Sequence, residues 1–329
     1  MGNRIVVIGS NSFSGASLIR QSLEQGDQVL GISRSSENKA CLLPYKWSAQ
    51  DHFQFRQLDL NDHTDEIINE IKNFDTTHVI NFAAQAMVAE SWQNPDHWYQ
   101  TNVVANVKLH DQLRQMNTLR KYVHVSTPEV YGSCSGLVNE SHPFSPSTPY
   151  ATSRAACEMH LLNFFKNYDF PVVFTRAANV YGPGQQLYRI IPRTVLFIKL
   201  GKTLKLHGGG KSLRSFIHIR DVAKGTLEIV NKASPPEAFH LSTDRHISIR
   251  SLVELICIKM GADFESLVEV SPERPGKDAA YLLDSSKAKN EFGWSPRVTL
   301  ENGIEETINW VQNNFDELIK EPMEYLHKK

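Results

Sequence analysis

Short apolar runs alternate with amphipathic stretches through the first half of the chain. The runs are rich in β-branched residues, as buried strands are, whereas the stretches repeat their apolar positions every three or four residues, as helices do. Strands that alternate with helices in this way form right-handed β-α-β units on a parallel sheet covered on both faces. The pattern predicts strands at 4–9, 28–33, 53–58, 78–82, 121–126 and 172–176, and helices at 14–25, 64–73, 97–116 and 150–168.

The pattern changes after Asn179, where Tyr181-Gly-Pro-Gly184 interrupts the chain. Beyond it the periodicity predicts helices near 191–200, 221–231, 249–260 and 300–315, a short strand at 214–218 and an irregular stretch at 272–281. We therefore predict an α/β fold in which a Rossmann-type doubly wound parallel sheet carries a smaller, mixed α/β substrate domain. The dinucleotide-binding domain is expected to span 1–178 with a return segment near 212–234, and the substrate domain 179–211 and 235–329.

A glycine-containing turn lies between the first strand and the first helix. It reads Gly9-Ser-Asn-Ser12-Phe13-Ser-Gly15. In such a turn, backbone N–H groups and the positive end of the helix can bind a pyrophosphate. A plain strand-to-helix turn is the alternative, but the position at the start of a β-α-β pattern favours NAD or NADP bound by Gly9, Ser12, Phe13 and Gly15.

The end of the second predicted strand indicates which dinucleotide fits. A carboxylate there binds the ribose 2′-hydroxyl of NAD, whereas an arginine can bind the 2′-phosphate of NADP. Here Ser33 and Arg34 occupy this position, and the first carboxylate is Glu37. We therefore expect NADP rather than NAD; in the alternative, Arg34 is a solvated loop charge and NAD binds without acidic help.

Two later strand ends complete the predicted cofactor site. Asp59 and Leu60 follow the third strand, where they can lie beside the adenine, and Asp59 can also cap the next helix. Ala83 and Ala84 end the fourth strand, and their small side chains permit close approach of a cofactor.

The candidate chemistry lies in two segments, Ser126–Gly132 after the fifth strand and Pro149–Arg154 at the start of the following helix. Tyr150 and Arg154 share one face of that helix at spacing i, i+4. A positive charge beside a phenol favours its phenolate, so Tyr150 can act as acid and base near neutral pH. The hydroxyl of Thr127 can hydrogen-bond the substrate oxygen with which Tyr150 exchanges its proton.

These residues resemble the extended short-chain dehydrogenases of the nucleotide-sugar epimerase and dehydratase group, most closely the dTDP-glucose and GDP-mannose 4,6-dehydratases. The resemblance covers nearly the whole chain. It rests on the glycine turn, Asn81-Phe-Ala-Ala, Ser126-Thr-x-Glu-Val-Tyr-Gly, Pro-Tyr150-x-x-Ser, Asn179-Val-Tyr-Gly-Pro, Arg214-Ser-Phe-Ile-His-Ile-Arg-Asp221 and Arg274-Pro-Gly.

The resemblance implies a 4,6-dehydration in which Tyr150 oxidises C4 of the sugar with the cofactor, Glu129 removes the C5 proton and the hydride returns to C6. Three departures from the family pattern bear on this. Arg154 replaces a lysine, Pro128 replaces the aspartate that protonates the C6 oxygen, and Ala86-Met87 replaces a Ser-His pair. The resemblance implies that Tyr150 and Arg154 also bind the cofactor, with Arg154 on the nicotinamide ribose hydroxyls. A 4-epimerase or decarboxylase of the same family is the alternative, followed by a reductase and by a protein without catalysis.

The resemblance also implies a substrate site for a nucleotide-diphosphate sugar. Its expected members contact the diphosphate, the base or the sugar, although each charged one could instead be an ordinary surface residue. They are Gln85, Asn179, Arg189, Ile190, Lys205, His207, Arg214, Arg274 and Lys277.

Charge and composition narrow the partners. The net charge of −1 gives no basic footprint for a nucleic acid, and the apolar run at the N-terminus is too short for a signal peptide or a membrane span. The four cysteines have no C-x-x-C spacing, so we expect neither a metal site nor a disulfide. We also expect a cytoplasmic location. The resemblance implies a homodimer through helices 97–116 and 150–168, with Leu161, Leu162 and Phe165 as outward-facing apolar residues.

Overall fold

A parallel sheet of seven strands forms the centre of the protein. The computed structural model describes residues 2–49, 51–134, 136–272 and 282–329. The strand order in the sheet is β3-β2-β1-β4-β5-β7-β11, with every neighbouring pair parallel. These strands are β1 (Arg4–Ile8), β2 (Gln28–Ser33), β3 (Phe53–Gln57), β4 (His78–Asn81), β5 (Lys121–Ser126), β7 (Val172–Ala177) and β11 (Ala238–Leu241).

The alternation of side chains along β1 explains why both faces of the sheet are covered. Ile5 and Val7 belong to one buried apolar cluster, and Val6 and Ile8 belong to another on the opposite face. Successive side chains of a strand point to opposite faces, so a strand that is apolar throughout needs a layer of helices on each side. The predicted doubly wound sheet is confirmed, and its first six strands lie within one residue of their predicted limits.

The seventh strand was not predicted. Ala238–Leu241 pairs only with β7, at the edge of the sheet, and it lies in the range 235–329 that we assigned to the substrate domain. The division into two domains otherwise stays a prediction.

Helices cover the two faces of the sheet and build the second half of the molecule. The helix predicted at 97–116 is divided. It consists of α3, a π-helical segment at Gln100–Ala105 and α4. The helices are α1 (Phe13–Glu24), α2 (Thr64–Asn73), α3 (Pro95–Tyr99), α4 (Asn106–Leu113), α5 (Pro149–Tyr168), α6 (Ile190–Leu200), α7 (Ile219–Lys232), α8 (Ile249–Met260), α9 (Phe264–Leu267), α10 (Ser286–Phe292), α11 (Leu300–Asn313) and α12 (Phe315–Leu318).

The π-helical segment has an identifiable cause. The side-chain amide of Asn106 donates to the main-chain oxygens of Thr101 (2.9 Å) and Asn102 (3.4 Å). An amide inserted into the helical hydrogen-bond ladder widens the turn, and such widened turns are frequent beside functional sites.

A third apolar cluster holds the second half of the chain together, with α6, α8 and α11 at its centre. Two small sheets, in the orders β12-β10-β8 and β13-β9, contribute to it, and a third, β14-β6, packs in a separate small cluster with Val130 and Tyr131. Their strands are β6 (Leu137–Val138), β8 (Asn179–Tyr181), β9 (Leu204–His207), β10 (Leu213–His218), β12 (His246–Ser248), β13 (Val268–Ser271) and β14 (Leu282–Leu283).

Two expectations about helix surfaces can be compared with the fold. Leu161 is fully buried inside the sheet-facing cluster, so its assignment as an outward residue of α5 was wrong, while Leu162 and Phe165 are half-buried against the same cluster.

Among the described helices, we find none with both the length and the apolarity needed to cross a bilayer.

A buried ion pair joins α5 to the sheet. Glu158 of α5 and Arg176 of β7 form two hydrogen bonds, and both side chains are almost completely buried. The hydroxyl of Ser126, at the end of β5, donates to the same carboxylate. Arg176 also donates to the hydroxyl of Tyr131 (2.5 Å), so the pair fixes the chain on both sides of residues 127–130.

We expect Glu158→Gln to lower the free energy of unfolding by about 3 kcal/mol, because it leaves the guanidinium of Arg176 buried without its counter-charge. Urea unfolding followed by circular dichroism measures this. Glu305→Gln, which breaks an exposed pair with Lys259, is the matched control and should cost less than about 1 kcal/mol. Equal losses in the two variants would contradict the role of the buried pair.

Candidate active site

The glycine turn after β1 is fixed by its own hydrogen bonds. The hydroxyl of Ser12 donates to the main-chain oxygen of Gly9 (2.7 Å) and accepts from the N–H of Gly15 (3.1 Å), so Ser12 is the N-cap of α1. A Cβ atom at Gly15 would lie 2.4 Å from the oxygen of Gly9, which leaves no space for a side chain. Phe13 starts α1 with its ring in the core, so only its main chain can face a ligand.

The turn lies directly against the end of β4. Gly9 has a φ of +86°, and a Cβ atom there would lie 2.8 Å from the nitrogen of Ala83. The N–H of Ala83 in turn donates to the side chain of Asn81 (2.9 Å), and Ala84 follows it, half-buried. The predicted cofactor residues at the ends of β1 and β4 therefore come together.

The end of β2 closes the other side of the turn. The hydroxyl of Ser33 accepts from the N–H of Asn11 (3.0 Å) and lies 3.4 Å from the hydroxyl of Ser10. Arg34 is exposed, and its guanidinium donates to the main-chain oxygen of Lys329 (2.7 Å).

The predicted helix-capping role of Asp59 was wrong. The carboxylate of Asp59 accepts from the N–H of Asn61 (2.9 Å) and so stabilises the turn after β3. Helix α2 begins later, after His63, because the turn needs these residues first. Leu60 is buried and its carbonyl accepts from Thr64 (3.2 Å), which leaves its adenine role a prediction.

Tyr150 lies in the first turn of α5, where several predicted side chains meet. Thr148 is the N-cap and accepts from the N–H of Ala151 (3.1 Å). The phenol of Tyr150 is buried, hydrogen-bonds Thr127 and lies within electrostatic reach of Glu129, Arg154 and Arg189. The hydroxyl of Thr127 also lies 3.3 Å from the carboxylate of Glu129.

The acid strength of Tyr150 differs from the sequence-based expectation. Burial raises the pKa of Tyr150, and the negative charge of Glu129 raises it further. Arg154, the hydrogen bond with Thr127 and Arg189 lower the pKa, as expected for positive charges and donors, but burial and Glu129 together outweigh them. In the protein alone, Tyr150 is therefore held in its neutral form.

The guanidinium of Arg154 points to β5. It donates to the main-chain oxygen of Val125 and to Nε2 of His124 (3.1 Å), and the side chain is 2% exposed. Burial and the nearby Arg154 hold the pKa of His124 well below the ordinary value, so the imidazole is neutral and can accept this bond. Arg154, which replaces the family's lysine, thus has hydrogen-bond acceptors on β5, namely Nε2 of His124 and the oxygen of Val125.

His124, His110 and Cys157 form a buried group whose possible ligand atoms lie within 4.8 Å of one another. A metal ion would require the thiolate of Cys157, but burial raises the pKa of that thiol to about 12. Arg154 already places a positive charge against His124, so a second cation in this buried space is disfavoured.

Asn102 is a buried residue of the site that we did not predict. Its side chain accepts from the N–H of Gln85 (2.8 Å) and donates to the oxygen of Gln85 (3.0 Å) and to the hydroxyl of Ser153 (2.9 Å). It therefore ties the loop after β4 to the helix that carries Tyr150. The signal in the sequence is an asparagine, four residues before Asn106, on the apolar face of an amphipathic stretch.

The predicted substrate residues occupy several elements of the second half of the chain. Arg189 and Ile190 start α6, with the guanidinium of Arg189 5.4 Å from the centre of the Tyr188 ring. Of these residues, the structure brings Arg189 into the electrostatic environment of Tyr150. Asn179 starts β8 and pairs with Phe216 of β10, whereas Arg214 lies two residues earlier on β10, pairs with Ile247 and donates to the oxygen of Leu213 (2.7 Å).

Lys205 and His207 lie on β9, and the side chain of Lys205 is exposed. Nδ1 of His207 lies 2.9 Å from the hydroxyl of Ser271 and 3.1 Å from the oxygen of Pro272, which fixes the ring on the paired strand β13. Arg274 and Lys277 lie outside the described residues. Gln85 is buried, and its side-chain amide donates to the oxygen of Lys328 (2.7 Å).

A dinucleotide-type turn after β1 and, on α5, a tyrosine with a cation at i+4 are features of the extended short-chain dehydrogenase class. The chain belongs to the GDP-mannose 4,6-dehydratase family, whose model matches residues 6–307. The predicted resemblance to nucleotide-sugar epimerases and dehydratases is confirmed, and at this level the predicted class of nucleotide-sugar 4,6-dehydratase is confirmed as well.

Curated relatives agree with this assignment. The mouse dTDP-D-glucose 4,6-dehydratase is 32% identical over 275 residues, which are 82% of this chain and 76% of that protein. The Escherichia coli dTDP-glucose 4,6-dehydratase is 28% identical over 341 residues, 94% of each chain. A trifunctional UDP-glucose 4,6-dehydratase of Arabidopsis thaliana is 31% identical over 270 residues, and the match spans only 40% of its length.

Solved structures show the same fold. The dTDP-glucose 4,6-dehydratase of Streptomyces venezuelae, with NAD bound, superposes with a TM-score of 0.88 at 28% identity, covering 95% of this chain and 98% of that one. The UDP-glucose 4-epimerase of Thermotoga maritima gives a TM-score of 0.86 at 25% identity, covering 94% and 99%.

We expect His124→Phe to slow hydride transfer to the bound dinucleotide by about tenfold, because the guanidinium of Arg154 loses one of its acceptors beside Tyr150. In an Arg154→Lys background, His124→Phe should slow hydride transfer by less than about threefold, because the lysine ammonium differs in reach and does not need the imidazole of His124 as an acceptor. Single-turnover absorbance of reduced nicotinamide measures both.

His110→Phe is the control for these variants, since His110 is equally buried but bonds Tyr122 (2.8 Å) rather than Arg154. It should lower stability without changing the rate. Equal rate losses from His124→Phe in the two backgrounds would refute the coupling.

Proposed function

We propose that the protein is a nucleoside-diphosphate-hexose 4,6-dehydratase in which Tyr150 and Glu129 act in sequence on neighbouring carbons of one sugar. The observation that carries the proposal is the shared position of the two groups: the carboxylate of Glu129 raises the pKa of Tyr150 and lies 3.3 Å from the hydroxyl of Thr127, which bonds the same phenol. A simple oxidoreductase needs the tyrosine but has no use for a second base beside it.

Tyr150 removes the proton of the C4 hydroxyl, and Thr127 hydrogen-bonds the same oxygen. Arg154 and Arg189 stabilise the phenolate that this step requires. The turn at Gly9–Gly15 would hold the dinucleotide, whose chemistry would be to take up the hydride of C4 and give it back at C6. The turn leads into the N-terminus of α1, the kind of helix end that binds a pyrophosphate.

Glu129 removes the proton at C5, which the C4 ketone has made acidic. Loss of hydroxide from C6 then needs a proton donor. Pro128 is buried and has no proton to give, so the newly protonated Glu129 delivers its proton to the departing oxygen. One carboxyl group thus serves first as base and then as acid, and the addition of hydride at C6 is balanced by a proton that C5 takes from water.

The finer substrate and assembly proposals follow the family pattern. Asn179, Arg189 and Arg214 bind the diphosphate, and two copies pair through α4 and α5. Exposed apolar side chains on and beside these helices support the pairing: Val104, Met159 and Tyr168 are 42%, 57% and 53% exposed. A nucleotide sugar is the ligand of the family, and dTDP-glucose is the first to test because the curated relatives act on it.

The substrate is identified by incubation with dTDP-glucose, UDP-glucose, UDP-N-acetylglucosamine, GDP-mannose and CDP-glucose, followed by mass spectrometry. We expect one of them to lose one water without added reductant. An unchanged mass with a new sugar would show a 4-epimerase instead, and loss of carbon dioxide from UDP-glucuronic acid, added as a sixth substrate, would show a decarboxylase.

Glu129→Gln separates the two halves of the reaction. The variant should still reduce bound cofactor but should lose dehydration by about a thousandfold, because the C5 base is gone. Removal of the carboxylate also removes a cause that raises the pKa of Tyr150, so the pH profile of cofactor reduction should move to lower pH. Full dehydration by this variant would exclude Glu129 from the mechanism.

NADP is the dinucleotide that we propose, because Arg34 is exposed at the end of β2 and the strand ends in Ser33 rather than in a carboxylate. Arg34→Ala should weaken NADPH binding by about tenfold more than NADH binding, in a fluorescence titration. Tighter binding of NADH than of NADPH, with Arg34→Ala without effect on either, would assign NAD instead.

A further inference from the structure

Residues 324–329, which we call the clasp, extend from the second half of the molecule to the dinucleotide-binding half. At its start the carboxylate of Glu324 binds the guanidinium of Arg193 on α6 through two hydrogen bonds, of 2.6 and 3.3 Å. The ring of Tyr325 then packs edge-on against Tyr188, with ring centres 5.6 Å apart. Both contacts lie next to Arg189, on the proposed substrate side.

The middle of the clasp is held by aromatic stacking on α3. The ring of His327 is stacked on His97 and on Trp98, with ring centres 5.1 and 5.2 Å apart and interplanar angles of 9° and 11°. Nε2 of His327 also lies 2.8 Å from Nδ1 of His97. Burial and the neighbouring His97 and Arg34 lower the pKa of His327, which favours the neutral ring that stacking on another imidazole requires.

The last two residues of the clasp reach the cofactor site itself. The oxygen of Lys328 accepts from Gln85 after β4, and the oxygen of Lys329 accepts from Arg34 after β2, both at 2.7 Å. In the sheet, β1 lies between β4 and β2. The clasp therefore passes across the end of β1, in front of the glycine turn at Gly9–Gly15.

The charges of the clasp suit a closed cleft that contains an anion. Its acidic residue, Glu324, is paired with Arg193, whereas the side chains of Lys328 and Lys329 are exposed beside the turn. Two ammonium groups next to a pyrophosphate site attract the ligand rather than replace it, because they carry the opposite charge.

We propose that the clasp closes over the bound dinucleotide and keeps it in the cleft between the two hydride transfers, with Glu324 and His327 as the positioning residues. The inference rests on the dinucleotide use proposed above. A dehydratase of this kind returns its hydride to the sugar that supplied it, so the cofactor has no need to leave during a turnover. Contacts on both halves of the chain make release depend on opening the clasp.

The rate at which reduced cofactor leaves the protein tests this. NADPH or NADH, whichever binds, is preloaded on the full chain and chased with excess oxidised cofactor, while nicotinamide fluorescence is followed in a stopped-flow instrument. We expect Glu324→Ala to speed release by about threefold and His327→Ala by about fivefold. The double variant should release about tenfold faster, with the rate of hydride transfer unchanged.

Glu305→Ala is the matched control, since it removes an exposed ion pair from α11 without touching the clasp, and its release rate should equal that of the unaltered protein. His327→Phe keeps the stacked ring and should retain slow release. Release rates unchanged in both Glu324→Ala and His327→Ala would overturn the clasp, and slower release or tighter binding would show that the segment competes with the cofactor. A protein that binds neither dinucleotide would instead contradict the proposed function.

Discussion

The buried pair of Glu158 and Arg176 is the interaction on which the geometry of the site depends. It joins the middle of α5 to β7 and, through Ser126, to the end of β5. Tyr150 lies two turns before Glu158 on α5, whereas Thr127 and Glu129 directly follow Ser126. One carboxylate thus sets the distance between the segment that carries the phenol and the segment that carries the second base. Since both charges are out of water, neither side chain can move alone without a large cost.

The electrostatics around Tyr150 follow from this arrangement. Burial and Glu129 favour the neutral phenol, and Arg154 and Arg189 favour the phenolate. In the protein without ligands, burial and Glu129 outweigh the two arginines, so the phenol of Tyr150 stays protonated. Arg154 acts on the phenol from the side of β5, where its guanidinium is hydrogen-bonded to His124 and Val125. The cation that stands in place of the family's lysine is therefore held by β5 while it acts on the phenol.

Local pattern was enough to predict the strands of the sheet, the glycine turn and the tyrosine helix, because each has its own periodicity or its own short motif. It was not enough for Ala238–Leu241, which is a strand only because β7 offers an open edge. Asn102, Glu158 and Arg176 were missed for a related reason. Their partners lie far away in the sequence, and single polar residues in apolar stretches carry no sign of what they will contact. The contacts of His327 and Lys328 with His97, Trp98 and Gln85 could not be predicted at all, because no periodicity relates residues so far apart in the sequence.

Ser12 has a consequence for the thermodynamics of cofactor binding. Its hydroxyl bridges Gly9 and Gly15, so the turn is already in one conformation before any ligand arrives. A loop with a third glycine in this position would have more conformations to lose on binding, since glycine has the largest backbone freedom. Part of the entropy of ordering the turn is therefore lost when the chain folds rather than when the dinucleotide binds. When the dinucleotide binds, the turn should therefore contribute only a small enthalpy change and should rearrange little.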